Sequence, residues 1–123
     1  MYKLLFILKR RPGMSHEEFV DYYQNIHSKF VSKACPDAKR YFRKYLKPLA
    51  ANSSPYDKAA PPSSEQAYDA VMELWFDSKE QFEASPGMND PELLRVVMED
   101  ERKLFDFGEG VLRFTYEEFE SEL

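Results

Sequence analysis

The sequence predicts an α+β fold of the ferredoxin-like type: a four-stranded antiparallel sheet with helices packed on one side. Four short segments have the length and apolar composition of strands, and segments with the 3.6-residue apolar period of helices lie between them. Their order along the chain is β-α-β-β-(α)-α-β, which is that of a ferredoxin-like sandwich. The length of 123 residues is close to the commonest size of one domain, so we expect residues 1–123 to form a single domain.

The first strand is predicted at residues 2–10, YKLLFILKR, which are mostly apolar and lead into the turn sequence RPG. The helix after it begins at Ser15, because Ser15 and Glu18 have the spacing of a capping box. His27 lies within the apolar face of this helix, so we expect its ring to be buried, whereas His16 in the first turn is predicted to be solvated. The other residues of that face are Phe19, Tyr22, Tyr23, Ile26, Phe30 and Val31.

The second strand is predicted at residues 38–49 and the third at residues 68–76, because both alternate apolar or aromatic residues with polar ones. Residues 50–66 between them are rich in Pro, Ser and Ala, which predicts a flexible loop. A short helix is expected after the third strand, with Asp77 or Ser78 as its N-cap and a Pro-Gly pair at its end.

The last helix is predicted to begin at the Asp-Pro pair 90–91, with the aspartate as N-cap. Asp100 and Glu101 project within the angular range of its apolar face. They are predicted either to take part in a buried site or to cap the helix and pair with basic residues where helix and sheet meet. Residues 110–116 are predicted to form the fourth strand and residues 117–123 an acidic tail. The apolar side of the helix is predicted to consist of Leu93, Leu94, Val97, Leu104 and Phe105.

Both faces of the predicted sheet are apolar, although one layer of helices covers only one face. The first strand has Tyr2, Leu4, Phe6 and Leu8 on one side and Leu5 and Ile7 on the other. The third strand has Met72, Leu74 and Phe76 on one side and Val71 and Trp75 on the other. An exposed apolar patch of this size is typical of an interface, so we expect two chains to pair through their sheets as a two-fold homodimer.

The composition argues against several classes of function. A net charge of −5 disfavours a nucleic-acid partner, and no apolar run is long enough to span a membrane. The single cysteine, Cys35, forms no internal disulfide, which favours a reducing, cytoplasmic location. Two histidines and one cysteine do not provide a metal-ligand cluster, and no glycine-rich phosphate loop or serine nucleophile motif is present. Asp69 and Glu73 alternate with Val71 and Trp75, and they are predicted to serve the pairing of the strand or to make structural hydrogen bonds.

Three segments together resemble the EthD-domain family of dimeric α/β barrels: KLLFILKRRPGMSHEEFVDYYQNIH, YDAVMELWFDSKEQFEA and EDERKLFDF. The resemblance covers nearly the whole chain. It implies a homodimer in which each sheet contributes to a barrel, with a ligand pocket between each sheet and its own helices. It also implies a relation to small cofactor-free enzymes such as methylmuconolactone methylisomerase and olivetolic acid cyclase.

In the methylisomerase, the histidine matching His27 and a tyrosine matching Tyr41 belong to the active site. The cysteine of that site falls at Leu74 here, and its second histidine has no counterpart in the loop 50–66. The proton relay of the isomerase is therefore not expected in this chain. What the resemblance does imply is the position of the pocket and the presence of His27 in it.

The chemistry expected of this pocket is proton transfer without a cofactor. A neutral imidazole takes and returns a proton near neutral pH, which fits His27 as general acid–base. The phenol of Tyr41 would donate a hydrogen bond to a developing enolate oxygen, and Asp100 would orient His27 through a ring N–H. We therefore predict His27, Tyr41 and Asp100 as catalytic residues. The residues predicted to bind substrate are Phe6, Tyr23, Arg43, Tyr45, Met72 and Leu74.

These features predict a lyase or isomerase that catalyses dehydration, decarboxylation, cyclisation or isomerisation. Its substrate would be a small hydrophobic carbonyl, aromatic or polyketide-like compound. One alternative is a haem or small-molecule carrier with His27 as axial ligand. Another is an accessory protein of a degradation pathway, with a pocket that has lost its own activity.

Overall fold

A computed structural model of the protein describes residues 1–48, 66–108 and 110–123. Four strands form one antiparallel sheet in the order β2-β3-β1-β4, with the helices on one of its faces. The strands are β1 (Tyr2–Leu8), β2 (Arg40–Tyr45), β3 (Ala70–Phe76) and β4 (Val111–Thr115). The predicted α+β, ferredoxin-like fold is thus confirmed. The predicted loop 50–66 lies outside the described residues apart from Gln66, which is buried.

The first helical segment consists of α1 (His16–Tyr22), a π-helical turn (Tyr23–His27) and α2 (Ser28–Ala34). The predicted capping box is present, with reciprocal hydrogen bonds between Ser15 and Glu18. In the π turn the Ser28 N–H donates to the carbonyl of Tyr23, five residues earlier.

The π turn changes which residues of this segment face the sheet. Four buried residues, Phe19, Tyr23, His27 and Val31, follow one another at intervals of four. Ile26 is 42% exposed, so its predicted place in the buried face is wrong. The prediction assumed 3.6 residues per turn throughout, whereas the wider turn rotates Ile26 outward.

Three further helices follow β3: α3 (Lys79–Glu83), α4 (Pro86–Asn89) and α5 (Pro91–Glu101). Ser78 caps α3, and Asp90 caps α5 by accepting from two backbone N–H groups, as predicted. Leu94 was expected to be buried but is 41% exposed. The side of α5 that contacts α2 and the π turn is only a narrow stripe, in which Val97 and Asp100 are the buried residues. Leu94 lies outside this stripe.

His16 is not solvated as predicted, because it pairs with a buried aspartate. Its Nδ1 lies 3.0 Å from Oδ1 of Asp69, whose residue is 0% exposed. The backbone N–H and the guanidinium of Arg10 also donate to this carboxylate, each at 2.9 Å. The hydrogen bonds predicted for Asp69 are therefore present. They connect the segment after β1 and the start of α1 to the residue that precedes β3.

We call the side of the sheet turned away from the helices the open face. Its residues include Lys3, Leu5, Ile7, Phe42, Val71, Glu73, Trp75, Leu112, Phe114 and Tyr116. The buried carboxylate of Glu73 lies on this side and accepts from Lys44 at 2.5 Å, from the indole N–H of Trp75 at 3.2 Å and from the Tyr116 hydroxyl. Apolar side chains surround this cluster, but three cations also lie on the open face: Lys3 over the ring of Trp75, and Arg40 and Lys44 over the ring of Phe42. The open face is therefore an apolar surface with a basic component and one satisfied polar cluster.

Candidate active site

The imidazole of His27 is held inside the helix–sheet interface and is 1% exposed. The rings of Tyr23 and Phe105 meet it edge to face, with centroids 5.2 and 5.4 Å away. Its Nδ1 lies 2.8 Å from Oδ2 of Asp100, which α5 presents from 73 residues further along the chain. Within the described part of the chain, Nε2 has no hydrogen-bond partner.

The carboxylate of Asp100 is also buried, and both of its oxygens are engaged. Oδ2 pairs with His27, and Oδ1 accepts a 2.5 Å hydrogen bond from the hydroxyl of Tyr22. Burial raises the pKa of Tyr22 to about 12, and the hydrogen bond to Asp100 acts in the same direction. Tyr22 therefore remains a protonated donor at any physiological pH.

The environment of His27 favours the neutral ring. Burial lowers its pKa below 6.5, and the hydrogen bond and negative charge of Asp100 only partly offset that effect. A neutral imidazole whose Nδ1–H is donated to a carboxylate presents an unprotonated Nε2. This is the form in which a histidine accepts a proton from a substrate.

A small cavity borders His27 on the helix side of the sheet. Its volume is about 20 Å³, which is room for roughly one water. Most of its lining is apolar or aromatic, with Glu101 and Arg113 as the charged members. The full lining is Phe6, Leu8, Tyr23, His27, Val31, Met72, Glu101, Phe105, Val111 and Arg113.

Glu101 and Arg113 give the cavity a mixed electrostatic character. Burial raises the pKa of Glu101, while the positive charge of Arg113 lowers it and the charge of Asp100 raises it further. The guanidinium of Arg113 lies 5.5 Å from the centre of the Phe6 ring. A carboxyl that holds its proton more readily than usual and a cation beside an aromatic ring are thus placed at one cavity.

The structure brings only some of the predicted site residues to this cavity. Phe6, Tyr23 and Met72 line it together with His27. Tyr41 does not line the cavity, but its hydroxyl donates at 3.4 Å to the hydroxyl of Tyr23, which does.

The other predicted substrate-binding residues lie elsewhere. Arg43 and Tyr45 both donate to Oε1 of Gln24 at 2.7 Å, on the outer side of the π turn. Leu74 is part of the buried core and does not line the cavity.

Sequence reasoning missed Arg113 and the hydroxyl of Tyr22 as parts of this site. Arg113 pairs with Phe6 in the sheet register, and that register follows from the pairing of β4 with β1 rather than from local sequence. Tyr22 was predicted only as one of the apolar-face residues of the first helix, and its bond to Asp100 joins two helices that are 78 residues apart in sequence. The inward position of Glu101 could be predicted, because Glu101 falls within the angular range of the apolar face of the last helix.

The pH dependence of stability should reveal the buried imidazole. The pKa of His27 is lowered in the folded state, so the unfolded chain binds this proton more readily and stability should fall as pH drops below about 6.5. Each unit of pKa difference corresponds to about 1.4 kcal/mol, lost in full below the folded-state pKa. The raised pKa of Glu101 has the opposite effect, because the folded state binds that proton more readily and stability falls as the pH rises above about 4.5. Urea unfolding at pH 5, 6, 7 and 8 measures the slope, which His27→Gln should reduce; an unchanged slope would contradict the prediction.

Comparisons with known proteins agree with this architecture. The family model of the EthD domain matches residues 11–108. An EthD-family protein from Bacillus halodurans has a similar structure, with a TM-score of 0.61, 17% identity, and coverage of 97% of this chain and 100% of that one. HapK from Hahella chejuensis has a TM-score of 0.60 at 11% identity, covering 100% and 97% of the two chains. A dimeric ferredoxin-like protein of unknown function from Thermobifida fusca has a TM-score of 0.58 at 15% identity, and the match covers 94% of this chain and 88% of that one.

These structural likenesses support the fold, and the family model supports the family. No curated protein matches the chain. Among the residues that the structure describes, no helix has the length and apolar character to cross a membrane, and no group of three or more His, Cys, Asp or Glu side chains is arranged to hold a metal. The family match spans most of the sequence, and so the chain belongs to the EthD-domain family.

Proposed function

We propose that the protein is a cofactor-independent lyase or isomerase that transfers protons on a small hydrophobic carbonyl compound. The observation that carries this proposal is the buried His27–Asp100 pair beside a cavity, in which Nδ1 is held and Nε2 has no hydrogen-bond partner among residues 1–48, 66–108 and 110–123. A base held in this way is orientated and kept neutral before substrate binds.

In the proposed reaction, Nε2 of His27 removes a proton from the carbon next to a carbonyl group. The electron pair of the broken C–H bond moves to the carbonyl oxygen as an enolate, and Asp100 stabilises the imidazolium that forms. Return of the proton to another carbon gives isomerisation, and departure of a leaving group gives elimination.

Tyr23 is the proposed donor to the developing enolate oxygen. Burial raises the pKa of its phenol well above the usual value, so the hydroxyl stays protonated. The Tyr41 hydroxyl donates to the Tyr23 oxygen, which leaves the Tyr23 proton available to the substrate. Tyr41 thus serves the reaction by positioning Tyr23.

Arg113 and Glu101 are proposed to orient the polar end of the substrate. The guanidinium of Arg113 suits a carboxylate or an enolate oxygen, and a protonated Glu101 would act as a hydrogen-bond donor. The cavity of about 20 Å³ must enlarge when substrate binds, since organic ligands need roughly 300 Å³ or more. The haem-carrier alternative is less favoured, because a porphyrin requires a much larger expansion than a small carbonyl compound.

The proposed partner of the chain is a second copy of itself. The open face carries a broad set of apolar side chains around the Glu73 cluster and its neighbouring cations, and no helix among the described residues covers it. The Thermobifida fusca protein with the same fold is described as dimeric. Pairing of two open faces would bury this surface and produce an isologous two-fold interface.

Proton exchange provides a test that does not require the natural substrate. The protein is incubated in D₂O with a panel of acetophenone, cyclohexanone, levulinic acid and its methyl ester, and loss of the α-proton signals is followed by NMR. We expect at least one member of the panel to exchange faster than in buffer alone, and levulinic acid to exceed its ester if Arg113 binds a carboxylate. No acceleration for any member would overturn the proposal.

A further inference from the structure

We propose that Tyr22 is a positioning residue that fixes the tautomer of His27 through Asp100, and that the π-helical turn is what allows it to do so. This inference rests on the proposed function in one respect only, namely the effect that the tautomer of His27 has on catalysis. Its structural content, which ring nitrogen carries the proton and why, stands apart from any reaction.

The first step is the helical geometry. Tyr22 and His27 are five residues apart, and in a regular α-helix they would point about 140° away from each other. The π turn at residues 23–27 closes with a hydrogen bond from the Ser28 N–H to the Tyr23 carbonyl. Because a π turn places residues five apart above one another, both side chains reach the same carboxylate.

The second step is the fixed orientation of Asp100. A buried carboxylate with one hydrogen-bond partner can rotate about its own axis, but here Oδ1 is held by Tyr22 and Oδ2 by His27. The Tyr22 hydroxyl can act on Oδ1 only as a donor at neutral pH, because its pKa is raised to about 12. Oδ2 is therefore left as an acceptor aimed at Nδ1.

The third step is the consequence for the imidazole. An acceptor fixed at Nδ1 selects the tautomer with Nδ1–H, so the lone pair lies on Nε2. The phenol also withdraws part of the carboxylate's negative charge, which limits how far Asp100 stabilises the imidazolium. The other charged or titratable groups around the ring are Glu101 on α5, Arg113 on β4, and Tyr23 in the π turn itself.

The test is Tyr22→Phe, which keeps the ring and removes the hydroxyl. In wild-type protein we expect NMR to show His27 as the Nδ1–H tautomer, with a slowly exchanging, hydrogen-bonded ring proton. In Tyr22→Phe this proton should exchange at least tenfold faster and the Nε2–H tautomer should become populated. Asn25→Ala is the matched control, since it removes hydrogen bonds from the same turn to Asp21 but none to Asp100.

An unchanged tautomer and exchange rate in folded Tyr22→Phe would overturn the inference, as would a wild-type ring found in the Nε2–H form. If Tyr22→Phe does not fold, Tyr22→Leu, which also removes the hydroxyl, is measured in its place with the same two expected changes. If α-proton exchange is detected, Tyr22→Phe should lower its kcat about tenfold with little change in KM. Failure of the proposed function would remove that activity altogether while leaving the tautomer result intact.

Discussion

Replacement of His27 by glutamine is expected to lower the rate of α-proton exchange by roughly 10²- to 10⁴-fold, the usual contribution of a general base. Glutamine is similar in reach and can still donate an N–H to Asp100, so the pair to α5 is kept while the basic nitrogen is lost. The measurement is the D₂O exchange rate on whichever panel compound responds to wild-type protein. The variant's unfolding midpoint, measured at pH 8, shows that the protein remains folded.

The chain offers a matched control for this experiment in its other histidine. His16 pairs with Asp69 and does not line the cavity, so His16→Gln should leave the exchange rate within about twofold of wild type. Equal activity of His27→Gln and wild-type protein would exclude His27 as the base. A comparable loss in both variants would show that the effect comes from general destabilisation.

Substitution of Ile7 by glutamate is expected to convert a homodimer into monomers. Ile7 lies on the open face on the central strand β1, near that strand's end, between Val71 and Leu112 on the neighbouring strands. In an isologous pair the substitution occurs twice, and burying an unpaired carboxylate costs about 3–5 kcal/mol. We expect dimer affinity to fall by at least 10²–10³-fold. Sedimentation velocity at micromolar concentration should give twice the 14.5 kDa chain mass for wild type and the single mass for the variant.

Leu94→Glu is the control for the interface experiment. Leu94 is an exposed apolar residue on α5, in the helical layer rather than on the open face, and it undergoes the same change of chemistry. This variant should sediment like wild type. A wild-type chain that is monomeric, or a dimer that Ile7→Glu does not weaken, would contradict pairing through the open face.

The order of strands and helices could be predicted because it depends on local rules. The N-caps at Ser15 and Asp90 act within three residues, and strand alternation needs only neighbours in sequence. The burial of His27 was predicted correctly, but for an incomplete reason. The assumed 3.6-residue period also placed Ile26 inside, which the π turn excludes.

The site itself could be predicted only in part. The inward positions of His27 and Asp100 follow from their places on two apolar helix faces. Arg113 could not be foreseen, because its place beside Phe6 comes from the register of β4 on β1. His16 was misjudged for a related reason, since its partner Asp69 lies 53 residues away in sequence.

The fold class, the family and the capped beginnings of the helices could be read from the order of residues, because those features depend on short-range periodicity and on motifs within one segment. Tertiary structure alone decided that Tyr22 and His27 share the carboxylate of Asp100. That arrangement needs a local departure from α-helical geometry and a contact across 73 residues, and neither follows from the pattern of side chains along the chain.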